Sequence, residues 1–144
     1  MIVLLVNTSI DPVTGGGTAT RTVQLARSIK KEFEVECIIL TTDQGLDETS
    51  KQQYSELKTV ILPCLNDRFY IPYFSWAKLK ELVEKIDVIH LMSHWTIINA
   101  IVYLLARQLD KPYTFCPAGS LHIFGRSALL KNLYNLFIGK SLIK

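Results

Sequence analysis

The sequence is poor in cysteine and in charge, and it has no long apolar run. Its three cysteines, Cys37, Cys64 and Cys116, are far apart and form no Cys-x-x-Cys pair. This argues against a disulfide framework and against a cysteine zinc cluster, so we interpret them as buried thiols of a reducing compartment. The apolar run at 2–6 is too short for the core of a signal peptide, and the run at 97–106 is too short for a membrane span. We therefore expect a cytoplasmic protein.

Acidic residues are absent after Asp110, although basic residues continue to the end of the chain. The basic residues of this part are Lys111, Arg126, Lys131, Lys140 and Lys144. A basic end of this kind is suited to phosphates, an anionic membrane surface or nucleic acid. A solvated helix face is the alternative that the pattern leaves open.

The chain of 144 residues is 49% hydrophobic, which is enough for one domain with a buried core. Strands are predicted at 2–6, 35–42, 59–62, 87–92 and 113–116. Helices are predicted from Thr18 to about 33, at 76–86, at 97–109 and at about 127–142, with 46–56 as a loop or surface helix. This alternation predicts an α/β fold, a Rossmann-like and mostly parallel sheet flanked by helices. Ligands of such sheets bind at the carboxyl ends of the strands, which are followed here by 7–17, 93–95 and 117–120.

Three consecutive glycines, Gly15, Gly16 and Gly17, precede a predicted helix with Thr18 as its N-cap. Bare backbone N–H groups at a helix start are suited to a phosphate. The segment lacks the Lys of a Walker A loop, and Thr20 stands where a dinucleotide fingerprint needs its third glycine. Asp43, after the second strand, lies where a ribose-binding acid would be. A flexible surface loop without a ligand remains the open alternative.

The strand exits carry the other candidate residues. His94 and Trp95 follow the fourth strand, where an imidazole can hydrogen-bond a hydroxyl and an indole can pack on a sugar ring; a structural role for the pair stays open. His90, inside the apolar strand, is predicted to be a hydrogen-bonded core imidazole. After the fifth strand, Gly119 and Ser120 are candidate ligand donors.

Other candidates in these segments are weaker. Pro117 has no N–H to activate the Cys116 thiol, so we do not predict a nucleophile there. His122 is interpreted as a surface residue, with a general base as the alternative. No metal site is predicted, because the neighbours of His94 offer no ligands.

Together these motifs resemble the N-terminal, acceptor-side half of a GT-B glycosyltransferase of the large retaining family 4, also called group 1. The resemblance rests on the strand and glycine loop from Ile2 to Thr18, on Asp87-Val-Ile-His90 leading into Ser93-His-Trp95, and on 111–121, Lys-Pro-Tyr-Thr-Phe-Cys-Pro-Ala-Gly-Ser-Leu. In a subgroup of that family, the strand exit has a sequence similar to His-Gly-x-Trp. The later turn there is similar to Ser-Pro-His/Arg-Gly-Met-Leu and is followed by a basic helix. Ala118 stands where those relatives carry His or Arg, so no role of that side chain is carried over.

The resemblance implies transfer of a sugar from a nucleotide-sugar donor to a glycan or lipid-linked acceptor, in cell-surface polysaccharide biosynthesis. No metal, cofactor or nucleic acid is implied. Gly15, Gly16, Gly17 and Thr18 would approach the donor diphosphate, and His94, Trp95, Gly119 and Ser120 would lie near the acceptor.

We expect residues 1–144 to be the acceptor domain of a longer enzyme, because the apolar helix pattern continues to the last residue. The nucleotide-sugar domain would then be missing, and the chain alone would be inactive. The basic end predicts a peripheral membrane contact. The alternative is a single-domain, flavodoxin-like module that binds a nucleotide or another protein.

Overall fold

A computed structural model describes residues 1–33, 35–66, 68–120 and 127–143. Its strands are β1 (Ile2–Val6), β2 (Glu36–Thr42), β3 (Lys58–Leu62), β4 (Cys64–Asn66), β5 (Ile71–Pro72), β6 (Val88–Met92) and β7 (Tyr113–Cys116). Its helices are α1 (Gly16–Phe33), α2 (Glu48–Gln53), α3 (Trp76–Glu84), α4 (Ile97–Gln108), α5 (Ala128–Tyr134) and α6 (Lys140–Leu142). A π-helical segment, Asn135–Gly139, joins α5 to α6.

The main sheet has five parallel strands in the order β3-β2-β1-β6-β7, which confirms the predicted Rossmann-like α/β fold. The five predicted strands are these five, with ends shifted by one residue at most. The chain first builds outward from β1 through β2 to β3 and then returns to its other side with β6. The crevice at the carboxyl ends of β1 and β6 is therefore the topological switch point, where open α/β sheets bind ligands.

Both faces of the sheet are covered, which explains why β1 shows no alternation of apolar and polar residues. Leu4 and Val6 belong to a core with α3, α4 and Leu142. Leu5 belongs to a second core with the apolar side of α1, and Tyr54 after α2 completes it. The segment predicted as a loop or surface helix is thus the short helix α2, and the buried Tyr54 directly after it packs against the core.

The sequence missed the antiparallel pair of β4 and β5, a separate two-stranded sheet. Pro63 ends β3 as predicted, and β4 begins directly after it. The hairpin places Arg68 and Phe69 on an exposed turn between its strands.

The predicted N-cap of α1 is wrong, because the helix begins two residues earlier, at Gly16. Thr18 lies inside the first turn, and its hydroxyl donates to the Gly15 carbonyl at 2.8 Å. Gly16 makes the early start possible, because its φ of +57° is in the left-handed region that side chains rarely adopt.

The helical end of the chain is half exposed and half packed. Leu142 is only 2% exposed and lies in the core with α3 and α4. The Tyr113 hydroxyl donates to its carbonyl at 3.3 Å, and Tyr103 and Ser141 share a hydrogen bond. Four apolar residues of this part are exposed: Leu129, Leu133, Leu136 and Phe137.

The cysteine prediction needs one correction. Cys37, Cys64 and Cys116 are free, but each is half-buried rather than fully buried. Within the described part of the chain, no helix combines the length and apolarity needed to cross a membrane.

Candidate functional site

The loop between β1 and α1 is packed against the end of β2, unlike the flexible loop that the sequence left open. Ser9 Oγ donates to the Gln44 carbonyl at 2.8 Å, and the Tyr54 hydroxyl donates to the Ile10 carbonyl at 3.1 Å. The Asp11 carboxylate accepts the Thr14 N–H at 2.6 Å, and the Asp11 carbonyl accepts the Gly15 N–H at 2.8 Å. This loop therefore fixes the position of the three glycines.

The three glycines serve different purposes. A Cβ on Gly15 would lie 2.6 Å from the Ser9 carbonyl oxygen and 2.7 Å from Ala19 Cβ, so close packing requires glycine there. A Cβ on Gly16 or Gly17 would meet nothing within 4 Å. The N–H groups of Gly16, Gly17 and Thr18 find no acceptor in the described ranges. The start of α1 thus presents bare donors and the positive end of an 18-residue helix.

His94, after β6, is almost fully enclosed. It is 2% exposed, its Nε2 lies 3.1 Å from Asn135 Oδ1, and its N–H donates to Ser120 Oγ at 3.0 Å. The rings of Trp95, Phe115 and Tyr134 lie edge-on around it, with centroids 4.4, 5.5 and 5.4 Å away. Burial lowers its pKa, and the Asn135 hydrogen bond opposes this. His94 is therefore a neutral imidazole at pH 7 that ties β6 to the C-terminal helix.

The turns after β6 and β7 hold non-glycine residues in left-handed conformation: Ser93 at φ +73° and Ala118 at φ +51°. Gly119 follows at φ +79°, and a Cβ there would meet no atom within 4 Å. Such conformations cost about 1–3 kcal/mol each for residues with a side chain and cluster at functional sites. Ser120 accepts the His94 N–H and donates to the Pro117 carbonyl, so its hydroxyl already links the two turns.

Several buried polar atoms beside these turns have no hydrogen-bond partner in the described structure. They are His94 Nδ1, Trp95 Nε1, Thr96 Oγ1 and Asn99 Oδ1. The Asn99 amide nitrogen, by contrast, holds the Met92 and Ser93 carbonyls at 2.8 and 2.7 Å. Unpaired buried polar groups are uncommon and are typical of places that take up water or a ligand.

A cleft of about 820 Å³ lies between the β4–β5 hairpin, the start of α4 and α5. It is lined by Arg68, Phe69, Ile71, Trp95, Ile97, Ser127, Leu130, Lys131 and Tyr134. Among the predicted site residues, Trp95 alone lines it. We call this space the hairpin cleft.

The other residues that the sequence singled out have structural partners. His90 Nδ1 lies 2.7 Å from Thr114 Oγ1, as expected for a hydrogen-bonded imidazole in the sheet. Asp43 Oδ1 accepts the Cys64 N–H at 2.8 Å and holds the start of β4. Burial raises the pKa of the Cys37 thiol to about 11, so it stays protonated. His122 lies outside the described residues, among which no cluster of metal-binding side chains occurs.

The chain matches no family model and no curated protein. The site is therefore defined by its own geometry. Two features lie at the carboxyl edge of the sheet: the open start of α1, and the pair of turns around His94 and Gly119.

Sequence reasoning missed Arg68, Phe69, Leu130 and Tyr134 as parts of one cleft. The available signal was the aromatic and basic composition of 68–70 and of 131–134, two segments that lie far apart in sequence. Only the fold brings them together around Trp95.

Proposed function

We propose that this chain is the acceptor-side half of a glycosyltransferase, which transfers a sugar from a nucleotide-sugar to a glycan or lipid-linked acceptor in cell-surface polysaccharide assembly. The observation that carries the proposal is the open start of α1, where the N–H groups of Gly16, Gly17 and Thr18 have no acceptor among the described residues. The departing nucleotide diphosphate gains negative charge in the transition state. Pre-positioned N–H groups and a helix dipole stabilise such charge.

The position of this helix start supports the same proposal. It follows β1, which lies beside β6 at the switch point of the sheet. The turns that hold His94, Trp95, Gly119 and Ser120 follow the adjacent strands β6 and β7. An acceptor bound at these turns would share one crevice with a diphosphate at α1, as group transfer between two bound substrates requires. The donor half would come from a second domain.

A flavodoxin-like module is less consistent with the fold. Flavodoxin-like sheets have the strand order 2-1-3-4-5. Here the strands of the main sheet, counted along the chain, lie in the order 3-2-1-4-5. This is the order of the Rossmann type.

The gene beyond Lys144 provides the first test of the proposal. We expect it to encode a second glycine-rich α/β half of about 100–200 residues, the usual size of a domain. A stop codon directly after Lys144 would overturn the proposal, because no donor half would then be encoded.

The second test is sugar transfer by the protein of the complete gene. Labelled nucleotide-sugars serve as donors, and a membrane extract of the source organism supplies the acceptor. Gly17→Ala places a methyl group in the open space at the start of α1. We expect transfer to fall by about tenfold or more, which equals about 1.4 kcal/mol of lost transition-state stabilisation. The control is Ser28→Ala, an exposed position of the same helix. Equal transfer by the two variants would contradict a role of the glycines at the start of α1 in stabilising the diphosphate.

We further infer a peripheral contact with an anionic membrane through the C-terminal helix. Leu129, Leu136 and Phe137 are exposed there, with Lys131 and Lys140 on the same segment. Exposed apolar residues combined with lysines are typical of helices that lie in the membrane interface. We expect co-sedimentation with phosphatidylglycerol vesicles that is lost at high salt and weakened by Lys140→Gln, with Lys78→Gln as the charge-matched control. Binding that is absent or insensitive to salt would contradict the contact.

A further inference from the structure

The hairpin cleft has a distinct chemistry. Three of its lining residues are aromatic, Phe69, Trp95 and Tyr134, and three are aliphatic, Ile71, Ile97 and Leu130. The remaining three are Ser127 and the cations Arg68 and Lys131, and no acidic residue belongs to the described lining. A cleft of about 820 Å³ is in the range of small-molecule sites.

This lining offers few hydrogen-bond partners to a bare sugar chain, although the Trp95 indole can pack on one sugar ring. Sugar hydroxyls placed against apolar walls lose their water and need replacement partners. The Tyr134 hydroxyl already donates to the Thr96 carbonyl at 3.4 Å, so the Ser127 hydroxyl and the Trp95 indole N–H are the neutral polar side-chain groups of the described lining that are left for such hydroxyls. A hydrocarbon chain, in contrast, needs no hydrogen bonds and gains from the burial of each methylene.

Arg68 gives the cleft an exposed cation that suits an anion. The Arg68 guanidinium carbon lies 5.3 Å from the Phe69 ring centroid, and the Lys131 ammonium lies 5.7 Å from the Trp95 ring centroid. Both cations therefore lie against aromatic walls of the cleft. Burial raises the pKa of Tyr134 to about 12, so its phenol adds no negative charge at neutral pH.

We propose that the hairpin cleft binds a phosphorylated lipid, with its hydrocarbon chain between Phe69, Leu130 and the aromatic rings and its phosphate at Arg68. Phe69 and Leu130 are 43% and 51% exposed, so a chain can enter without displacing the core. That this lipid is the acceptor of sugar transfer rests on the proposed function. Binding itself does not depend on it.

The test is fluorescence titration of this chain in the Trp76→Phe variant, where Trp95 is the remaining tryptophan and a wall of the cleft. The probes are dodecyl phosphate, dodecyl maltoside and inorganic phosphate, with both amphiphiles below their critical micelle concentrations. We expect a saturable change of Trp95 emission with dodecyl phosphate, at a concentration at least tenfold lower than with dodecyl maltoside. Inorganic phosphate should have no effect.

Chain length gives a second readout. Burial of one methylene contributes about 0.8 kcal/mol, or about fourfold in affinity. Octyl phosphate should therefore bind at least tenfold more weakly than dodecyl phosphate. Equal binding of the two would overturn the assignment of the chain to the cleft.

Two pairs of variants locate the site. Arg68→Gln should weaken dodecyl phosphate binding severalfold, whereas Lys78→Gln, a lysine outside the cleft, should not. Leu130→Glu should abolish binding, whereas Leu104→Glu, at a similarly exposed leucine of α4, should not. The proposal is overturned if the control variants weaken binding as much, or if dodecyl maltoside or inorganic phosphate matches dodecyl phosphate.

The outcomes separate this proposal from the transferase function. Lipid binding is measured on this chain without a sugar donor, and transfer is measured on the complete gene product. Transfer to a water-soluble glycan without dodecyl phosphate binding would overturn the lipid site and retain the transferase. Binding of dodecyl phosphate together with a stop codon directly after Lys144 would retain the lipid site and overturn the transferase function.

Discussion

At the scale of single residues, the glycine segment combines a packing requirement with open space. Gly15 lies against the Ser9 carbonyl and Ala19, whereas Gly17 faces no atom within 4 Å. Adjacent glycines can thus have opposite responses to the same substitution.

We expect Gly15→Ala to lower the free energy of unfolding by about 1–3 kcal/mol, as overpacking does. Gly17→Ala should raise it by up to about 1 kcal/mol, because alanine loses less backbone entropy in a helix. Urea denaturation followed by circular dichroism measures both. Equal destabilisation by the two variants would show that the start of α1 is as crowded at Gly17 as at Gly15.

We expect the protein to lose stability in mild acid because of two histidines, His90 in β6 and His94 directly after it. Burial lowers the pKa of both His90 and His94 below the ordinary value of 6.5. The unfolded chain therefore binds protons near pH 6.5 that the folded chain binds only at lower pH, and stability falls as the pH decreases through this window.

The measurement is urea denaturation between pH 7 and pH 5. This pH range lies above the range in which carboxyl groups ordinarily titrate. Below it, stability is also lost through Glu56, because the Arg27 hydrogen bond lowers the pKa of that carboxyl. The double variant His90→Gln, His94→Gln should flatten the profile relative to the unmodified chain. A flat profile of the unmodified chain would contradict the burial of the imidazoles.

At the scale of elements, the short helix α6 has one buried side chain, that of Leu142. Leu142 is 2% exposed and Ile143 is 52% exposed, although they are neighbours. We expect Leu142→Ala to cost about 2–4 kcal/mol of unfolding free energy through the cavity it leaves. Ile143→Ala should cost less than about 0.5 kcal/mol.

Thermal and urea denaturation of the two alanine variants test this docking. A cost for Leu142→Ala as small as that for Ile143→Ala would mean that α6 is detached from the core in solution.

Long elements were predictable from sequence, whereas short ones were not. The helical periodicity of α1 and α4 extends over many residues, and the unbroken apolar run of β1 is typical of a strand buried on both faces. Strands β4 and β5 have three and two residues, too few to show any period. The start of α1 was misplaced because the left-handed φ of Gly16 permits a helix start ahead of the polar cap candidate Thr18.

At the scale of the whole molecule, stability is distributed unevenly around β1. This strand pairs with β2 and β6 and has a core on each face. Helix α5, in contrast, has no buried residue among those described.

We expect native-state hydrogen exchange to reflect this distribution. Amides of β1 and β6 should exchange only through global unfolding, with a strong dependence on denaturant. Amides of α5 and of the β4–β5 hairpin should exchange orders of magnitude faster and with little dependence on denaturant. Mass spectrometry of peptic fragments resolves these segments, and uniform protection would contradict the distribution.

The candidate site was predictable where it follows strand ends and hidden where it depends on tertiary contacts. Gly15–Gly17 and Trp95 follow β1 and β6, and the carboxyl ends of parallel strands share one edge. The hairpin cleft joins Phe69 to Leu130, more than sixty positions away, and no local pattern encodes such a contact. Likewise, the enclosure of His94 depends on Asn135 and Tyr134, whose positions follow from the path of the C-terminal helix.

The π-helical segment Asn135–Gly139 has a consequence for the register of everything after it. A π-helical turn behaves as an α-helix with one inserted residue, and each residue of an α-helix advances the direction of the side chains by about 100°. Upstream of the insertion Leu129 and Leu133 face solvent, and downstream of it Leu142 reaches the core. Deleting Leu136 would restore an uninterrupted α-helix and rotate Leu142 by about 100°, away from α3 and α4. One extra residue therefore decides which side of this helix is its inner side.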